Sequence, residues 1–329
     1  MDNDAKLRPL YLGKILYERT DEENYLSTHD LINILKEEYG ISSHRQTIAT
    51  EIELLQQFGM DIKCVRERQN KYHLVSREFE LAELKLIIDA VDACKFISGR
   101  ESRKLSAKLA TLAGKTQSEE LKRNGSAEGR VRTTNEKTCL IIDAVNTAIN
   151  NKKKIAFHYF TYDGNKKKVL RHDGDYYIFS PYELIWDGDR YYILGWSDTH
   201  GGMRTFRVDR IAEIPKVLPE KAEKKPAGFS AAKYAGTNFS MFAGEVKQVS
   251  LICDNDTMDS MVDRFGEKVF TEPVDEGHFR LVAETADSHV FYAWVFGFGG
   301  KVKIEAPEDM KTSYKKMLKE ATISMNYGR

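Results

Sequence analysis

Cysteine and long apolar runs are both scarce in this sequence. Of its 329 residues four are cysteines, and no two of them form a Cys-x-x-Cys pair of the kind that binds zinc or exchanges disulfides. The longest nearly uninterrupted apolar stretch, Val290 to Gly300, has eleven residues, against the roughly 18 that a membrane-spanning helix needs. Because the acidic start Met1-Asp2-Asn3-Asp4 precedes no apolar signal segment, we expect a cytoplasmic protein with no membrane partner. Because the cysteines form no metal or redox motif, we expect them to be buried as small apolar side chains.

The motifs of several enzyme classes are absent as well. The sequence has no Gly-x-Gly-x-x-Gly, no P-loop, no His-x-x-x-His pair and no Gly-x-Ser-x-Gly, and its eight histidines are scattered along the chain. We therefore predict a protein that is not an enzyme and that uses no cofactor or metal.

Neither sign of charge dominates the composition. Fifty Lys+Arg balance 50 Asp+Glu, and 41% hydrophobic residues are ordinary for a globular chain, which excludes wholesale disorder. At roughly 150 residues per domain the length indicates two or three domains. Two stretches rich in charge, Gly, Ser and Thr lack apolar periodicity, Gly114 to Glu136 and Pro215 to about Gly236, and both are predicted to be linkers.

The first segment, residues 1–76, has the order helix, helix, turn, helix, β-hairpin. Apolar spacing predicts a helix from Leu7 to Glu18, and Ser27-Thr28-His29-Asp30 is a capping-box start for a second helix that Gly40 ends. A third helix is predicted to begin at Ser42 or Ser43, and Asp61 to Leu74 is typical of two strands around a polar turn. This order predicts a winged helix-turn-helix DNA-binding domain.

The third helix carries the candidate base contacts. Its buried side is predicted to hold Ile48, Ile52 and Leu55, which leaves a polar face able to hydrogen-bond base edges in a major groove. The candidate DNA-binding residues of the helix and of the hairpin tip are Ser43, Arg45, Gln46, Thr47, Thr50, Arg66, Arg68 and Lys71. The alternative is the polar outer face of any amphipathic helix. Residues 1–75 hold 10 Lys+Arg and 13 Asp+Glu, a net charge of −3, so a single copy should bind DNA weakly.

Residues 77–136 form a predicted helical connector and linker. Leu81, Leu84, Ile88 and Val91 have the spacing of one helix, and Leu105, Leu109 and Leu112 have that of another. We expect these helices to connect the domains and to dimerise. The alternative is that they pack against the middle domain.

The middle segment, residues 137–214, is rich in strands and contains the densest arginine motif of the chain. Aromatic and β-branched runs separated by Asp-Gly turns predict a small antiparallel barrel or sandwich, and the runs are Tyr176 to Phe179, Glu183 to Trp186 and Tyr191 to Trp196. Arg204 to Ile211 places three arginines within seven residues, where guanidinium groups can bind phosphate and nearby tyrosines can stack on bases. Alternation along a strand would turn Arg204 and Arg207 to opposite faces, so the strand must end or bend among them. The alternative role for Arg207 or Arg210 is an ion pair with Asp209 or a neighbouring carboxylate that fixes a corner.

After a linker over residues 215–242, the last segment, residues 243–329, alternates strands and helices. The order strand, helix, strand, strand, helix, strand predicts a ferredoxin-like α/β domain, and a final helix follows Pro307. The fold class expected for the whole chain is therefore α+β.

With these motifs in place, the chain resembles the WYL-domain family of bacterial transcription regulators. The resemblance rests on Ser180-Pro181-Tyr182, on Tyr191-Tyr192-Ile193 where the family has Trp-Tyr-Leu, and on the octapeptide Arg204 to Ile211. Thr47 to Ile52 resembles the family's recognition helix, although Gln46, Thr50 and Glu51 stand where Arg, Arg and Asp are common. The family combines a winged helix-turn-helix, an Sm-like or SH3-like WYL barrel and a C-terminal extension domain.

The resemblance implies a homodimeric sensor that binds a double-stranded DNA operator and an anionic effector, a nucleic acid or a nucleotide. The candidate effector-binding residues are Tyr159, Ser180, Tyr182, Tyr192, Arg204, Phe206, Arg207, Arg210 and Arg264. The competing interpretation is a ligand-binding accessory protein with no sequence-specific DNA binding, which the negative charge of residues 1–75 favours.

Overall fold

The computed structural model describes residues 3–66, 68–123 and 130–326. It has two compact units, Met1–Glu136 and Lys137–Arg329. None of the helices in these described ranges is both long enough and apolar enough to cross a membrane.

The first unit begins with three helices and a small antiparallel sheet. The helices are α1 (Asn3–Arg19), α2 (Thr28–Tyr39) and α3 (Arg45–Gln57). The strands β1 (Leu26–Ser27), β2 (Ile62–Arg66) and β3 (Asn70–Leu74) pair in the order β1-β3-β2. Their shared core is formed by apolar residues spaced along each helix, among them Leu12, Ile15, Leu16, Leu31, Leu35, Ile48, Ile52 and Leu55.

The ends of α2 follow the sequence signals, whereas the start of α3 does not. The Ser27 hydroxyl accepts from the Asp30 N–H while the Asp30 carboxylate accepts from the Ser27 N–H, which is the predicted capping box. Gly40 ends α2 in the left-handed conformation at φ 69°. The prediction that α3 begins at Ser42 or Ser43 is wrong, because the helix begins at Arg45 and the backbone of the preceding residue, His44, is extended.

Three further helices complete the first unit: α4 (Leu81–Ala93), α5 (Gly99–Ala110) and α6 (Lys115–Arg123). Leu84 and Ile88 of α4 pack with Ala110, Ala113 and Leu121. The last helix lies within the stretch from Gly114 that we expected to be linker, and residues 124–129 of that stretch lie outside the described residues. Leu121 is a single buried apolar side chain in a polar helix, so periodicity alone did not indicate α6.

The second unit opens with helix α7 (Thr138–Asn150) and a five-stranded antiparallel sheet. The strands are β4 (Lys153–Phe157), β7 (Tyr177–Asp187), β8 (Arg190–Ser197), β9 (Gly202–Arg207) and β10 (Lys216–Lys221), in the order β10-β4-β7-β8-β9. A separate hairpin joins β5 (Phe160–Tyr162) to β6 (Lys168–Leu170). Ile141 and Val145 of α7 cover one face of the sheet with Phe157, Phe179 and Phe206 as neighbours.

Two features of this sheet differ from the expectation. The runs before and after Ser180-Pro181-Tyr182 form one strand, β7, whose register with β8 shifts between Pro181 and Glu183 as in a β-bulge. Strand β10 occupies part of the second predicted linker and pairs with β4. Its side chains are almost all exposed, so it has none of the alternation that marks a half-buried strand.

Gly195 of β8 lies under the bulge of β7. A Cβ at this position would overlap the carbonyl oxygen of Ser180 and lie 2.8 Å from the ring of Phe179. The two strands can therefore approach this closely only because residue 195 has no side chain.

The rest of the second unit follows the predicted alternation. After α8 (Ala231–Thr237), which also lies partly in the expected linker, come β11 (Val246–Asp254), α9 (Met258–Phe265), β12 (Phe270–Pro273), β13 (His278–Ala286), α10 (His289–Phe296), β14 (Val302–Ala306) and α11 (Glu308–Asn326). The four strands are antiparallel in the order β12-β13-β11-β14, and the apolar faces of α9, α10 and α11 pack on them. The chain is thus α+β, with a helical region and small sheet, a central antiparallel sheet and a C-terminal α/β domain.

Candidate functional site

The outer face of α3 is polar and accessible. Arg45, Gln46 and Thr50 are exposed, and Thr47 and Ser43 are half-buried. The Thr50 hydroxyl donates to the carbonyl oxygen of Gln46 at 3.2 Å, a bond within the helix that keeps its methyl and oxygen at the surface. All five residues precede or lie on the first two turns of the helix, the part that enters the groove in helix-turn-helix proteins.

The hairpin tip brings its polar residues close to α3. Arg66 and Arg68 are exposed and Lys71 is half-buried on β3. A cleft of about 350 Å³ is lined by Arg45 together with Thr28, His29, Ile32, Gln69 and Asn70. Our sequence interpretation had not included His29, Gln69 and Asn70 among the candidate residues. They belong to the start of α2 and to the hairpin turn, and only the fold places them beside Arg45.

Glu51, on the opposite side of α3, has a structural contact. Its side chain is 7% exposed and its Oε1 atom lies 2.8 Å from the Arg8 guanidinium of α1. The residue that stands where the family commonly has Asp thus ties α3 to α1 and is buried away from the polar face.

The arginine motif forms a corner at the end of β9. The strand ends at Arg207, as the alternation argument required, and a turn of 3-10 helix follows over Val208–Arg210. Arg207 donates to both oxygens of Asp209, at 3.0 and 2.7 Å, and Arg190 lies 3.5 Å from the same buried carboxylate. The backbone N–H of Arg207 donates to the phenol oxygen of Tyr159, and burial raises the pKa of Tyr159 to about 12. This is the ion pair that the sequence left as the alternative role for Arg207.

Three other candidate residues face the interior. Phe206 is buried and its ring lies within 5.3 Å of those of Phe157, Tyr159, Tyr177 and Phe179. The Ser180 hydroxyl accepts from the N–H of Glu223, and the Tyr182 hydroxyl donates to the carbonyl of Lys224. Ser180 and Tyr182 therefore hold the segment that follows β10.

Arg264 and Tyr192 lie toward the C-terminal domain. The Arg264 guanidinium stands 3.8 Å from the ring centroid of Phe239 and donates to the carbonyl of Gly236. Burial lowers the pKa of Arg264, and the negative charge of Asp187 partly offsets this lowering. Burial raises the pKa of Asp187 and that of Tyr192. The Nε atom of Arg264 is buried without a hydrogen-bond partner in the described residues.

Arg204 and Arg210 differ from Arg207 in having no carboxylate partner among the described residues. Arg204 is exposed and donates to the carbonyl of the preceding residue, while the Arg210 guanidinium lies 4.7 Å from the ring centroid of Tyr162. On β9, Arg204 pairs with Gly195 and Arg207 with Tyr192, three residues further along. The candidate residues are thus divided between three places: the corner at Asp209, the surface at Arg204, and the contact of Arg264 with Phe239 and Gly236.

Sequence reasoning did not select three further residues, Arg171, His172 and His200. The charges of Arg204, His172 and Arg171 all act on the His200 ring and lower its pKa. The three residues come from the chain after β6 and from the β8–β9 turn, so no local motif signals them. No group of three or more His, Cys, Asp or Glu side chains that could hold a metal ion occurs in the part of the chain that the structure describes.

Comparison with protein families identifies two domains in the second unit. A WYL domain model matches residues 141–215 and a WCX domain model matches residues 245–322. The chain therefore contains a WYL domain that is followed by a WCX domain. This pair of domains is typical of ligand-sensing bacterial transcription regulators, which are generally not enzymes.

Solved structures similar to the chain include two at low identity. Proteasome accessory factor B/C (PafBC) of Arthrobacter aurescens is 17% identical, with a TM-score of 0.29, and the match covers 95% of this chain and 46% of that chain. A CRISPR Cas-related protein is 12% identical, with a TM-score of 0.37, and the match covers 74% of this chain and 72% of that one. The chain therefore spans about half the length of PafBC. No curated protein sequence matches it.

Proposed function

We propose that the chain is a bacterial, cytoplasmic transcription regulator. In this proposal residues 1–76 are a winged helix-turn-helix that binds operator DNA, residues 77–136 connect and dimerise, and the WYL and C-terminal domains bind an anionic effector, a nucleic acid or nucleotide, that alters operator binding. The observation that carries the proposal is an exposed polar helix beside a basic hairpin in a chain that also contains WYL and WCX domains.

Several contacts support the DNA-binding part. Ion pairing with Arg8 buries Glu51, and Ile48 and Ile52 are buried beside it, so the position of α3 is fixed from its inner side. Arg45 lines a cleft with Gln69 and Asn70, which gives the helix and the hairpin turn one shared surface. Such a surface suits a helix in the major groove with a hairpin on the flanking phosphates.

The effector-binding part is proposed on the WYL barrel, which we take to be Sm-like, and on the ferredoxin-like C-terminal domain. Arg204 has no carboxylate partner in the described residues, and the buried Nε of Arg264 has no hydrogen-bond partner. Guanidinium groups with unused hydrogen-bond donors can bind phosphate oxygens. For an effector to change DNA binding, it must bind one of two dimer arrangements more tightly than the other.

The test is DNA binding by a triple variant, Gln46→Ala, Thr47→Ala and Thr50→Ala. Genomic fragments that the parent selects in a gel shift are assayed at low and moderate salt. We expect an affinity loss on the order of tenfold or more, because good base contacts contribute roughly 1–3 kcal/mol each. The control variant, Lys104→Ala with Lys108→Ala, removes two exposed cations from α5 and should bind like the parent.

The second candidate is an accessory protein that binds ligand and no specific DNA. It is favoured by the net charge of −3 over residues 1–75 and by Gln46 and Thr50 at positions where the family commonly has arginine. If the correctly folded triple variant binds every fragment as tightly as the parent, α3 does not read the groove and this candidate replaces the regulator.

A further inference from the structure

Two histidines lie against one buried tyrosine in the WYL domain. After β6 the chain turns with His172 and Asp173 in the left-handed region, at φ 58° and 50°, which is costly for residues other than glycine. This turn sets the His172 ring 5.3 Å from the ring centroid of Tyr177. The β8–β9 turn stacks His200 on the same ring at 5.8 Å, and its Nδ1 atom lies 3.0 Å from the Ser197 hydroxyl oxygen.

Two arginines flank these histidines along the chain, because Arg171 directly precedes His172 and Arg204 lies on β9 four residues after His200. Arg171 and Arg204 are exposed, as are His172 and His200, and none of the four side chains forms an ion pair with a carboxylate among the described residues. We call these four residues the His/Arg cluster. Partial desolvation, and then the charges of Arg204, His172 and Arg171, lower the pKa of His200. The groups around His200 are therefore the Ser197 hydroxyl, the Tyr177 ring and three groups that are or can become cations.

We propose that the His/Arg cluster binds a phosphate group of the effector, and that His172 and His200 take up protons when it binds. This inference rests on the proposed function in taking the effector to be a nucleic acid or nucleotide. The arginines supply a permanent positive charge with a forked donor geometry, whereas the histidines supply a charge that depends on whether an anion is present. In this proposal the strained turn at His172 and Asp173 holds the His172 imidazole in the cluster.

Two other cations of the domain, Arg207 and Lys154, already have carboxylate partners. Arg207 is bonded to Asp209, and Lys154 lies 2.7 Å from Asp198 and 3.0 Å from Glu223. A phosphate at Arg207 would have to compete with a buried carboxylate, whereas Arg204 is exposed and donates to the backbone carbonyl of Met203. At the His/Arg cluster, unlike at Arg207 or Lys154, an anion displaces no carboxylate partner of the described residues.

The direction of the pH effect follows from the charges. In the free protein desolvation and then the neighbouring cations lower the pKa of His200, because both disfavour a further positive charge at this place. A bound phosphate reverses the sign of that local field and favours the imidazolium. The complex then holds more protons than the free protein, so affinity must rise as the pH falls, by at most about tenfold per pH unit for each proton taken up.

The direct test is a titration of the ¹³C-labelled histidines of the full chain by NMR, with and without sulfate, whose charge does not change between pH 5.5 and 8. Signals are assigned with His172→Gln and His200→Gln. We expect sulfate to shift the titration of both histidines to higher pH, and Arg204→Gln to reduce the shift. His289 of α10 is exposed and lies outside the cluster, so its titration should not move. If sulfate leaves His172 and His200 unchanged, the cluster is not an anion site and the proposal is wrong.

The second test measures anisotropy of a labelled oligothymidylate that carries no terminal phosphate, so that only the protein titrates. We expect its affinity to increase about three- to tenfold from pH 7.5 to 6, and His172→Gln with His200→Gln to abolish the increase while His289→Gln keeps it. A pH-independent affinity in the parent overturns the inference and leaves the proposed function standing. If the oligonucleotide does not bind at any pH while sulfate still shifts both histidines, the cluster is an anion site and the effector class in the proposed function is wrong.

Discussion

The ion pair of Arg207 with Asp209 should contribute more to stability than to ligand binding, and its removal is the sharpest stability test of the WYL domain. The Asp209 side chain is 4% exposed and that of Arg207 25%, and two hydrogen bonds of 3.0 and 2.7 Å join them. Breaking a buried pair by neutralising one partner costs about 3–5 kcal/mol. Because Arg207 retains contact with water, we expect Asp209→Asn to lower the free energy of unfolding by about 2–3 kcal/mol.

Urea denaturation followed by tryptophan fluorescence is the suitable assay. All three tryptophans, Trp186, Trp196 and Trp294, lie in the second unit, so the signal reports on that unit. A double-mutant cycle of Asp209→Asn with Arg207→Gln should give a coupling energy above about 1 kcal/mol. The exposed pair of Lys225 with Glu183 is the matched control, and its cycle should give less than about 0.5 kcal/mol.

Two results would refute this reasoning. If Asp209→Asn changes the free energy of unfolding by less than about 0.5 kcal/mol, the corner does not depend on the pair. If Arg207→Gln leaves stability unchanged but weakens oligonucleotide binding tenfold, Arg207 binds the effector directly and the contact with Asp209 is incidental.

Three further predictions concern other parts of the chain. Arg68→Ala at the exposed hairpin tip should weaken binding to all DNA sequences alike. It should also reduce the slope of log affinity against log salt by about 1, as measured by anisotropy between about 50 and 200 mM salt. Arg280 and the Ser250 hydroxyl lower the pKa of Glu305 from 4.5 to about 2, so its stabilising effect is present above pH 4.5 and is lost as the pH falls toward 2; the difference in Tm between the parent and Glu305→Gln should shrink over that range. Sedimentation at micromolar concentration should show a homodimer, and a monomer both free and with DNA would contradict the proposed two-fold operator.

Local signals in the sequence were sufficient for much of the fold. Ser27 and Asp30 form a capping box within four residues, and the strand-helix order from Val246 to Ala306 follows apolar spacing that each element carries by itself. Helix α6 and strand β10 were missed because each is stabilised by distant partners: Leu121 packs against α4 and α5, and β10 is an exposed edge that pairs with β4.

The candidate site was less accessible to such reasoning. The octapeptide from Arg204 identified the motif, but the choice between an ion pair and a phosphate contact for Arg207 depends on where β9 ends and Asp209 is buried. Arg171 and His200 are 29 positions apart, and only the packing of two turns on Tyr177 brings the His/Arg cluster together. A non-local arrangement of this kind has no signature in a single sequence.

The close approach of β7 and β8 at Gly195 limits which residue types position 195 can accept. Alanine is the mildest replacement, yet its methyl group would push β7 away at Ser180, the residue whose hydroxyl accepts from the N–H of Glu223. The neighbouring Tyr182, which donates to the carbonyl of Lys224, lies in the same bulge. A substitution at Gly195 would thus loosen the segment that leads from the WYL domain toward the WCX domain. In a library of random substitutions, position 195 should therefore retain only glycine even though its neighbours on β8 vary.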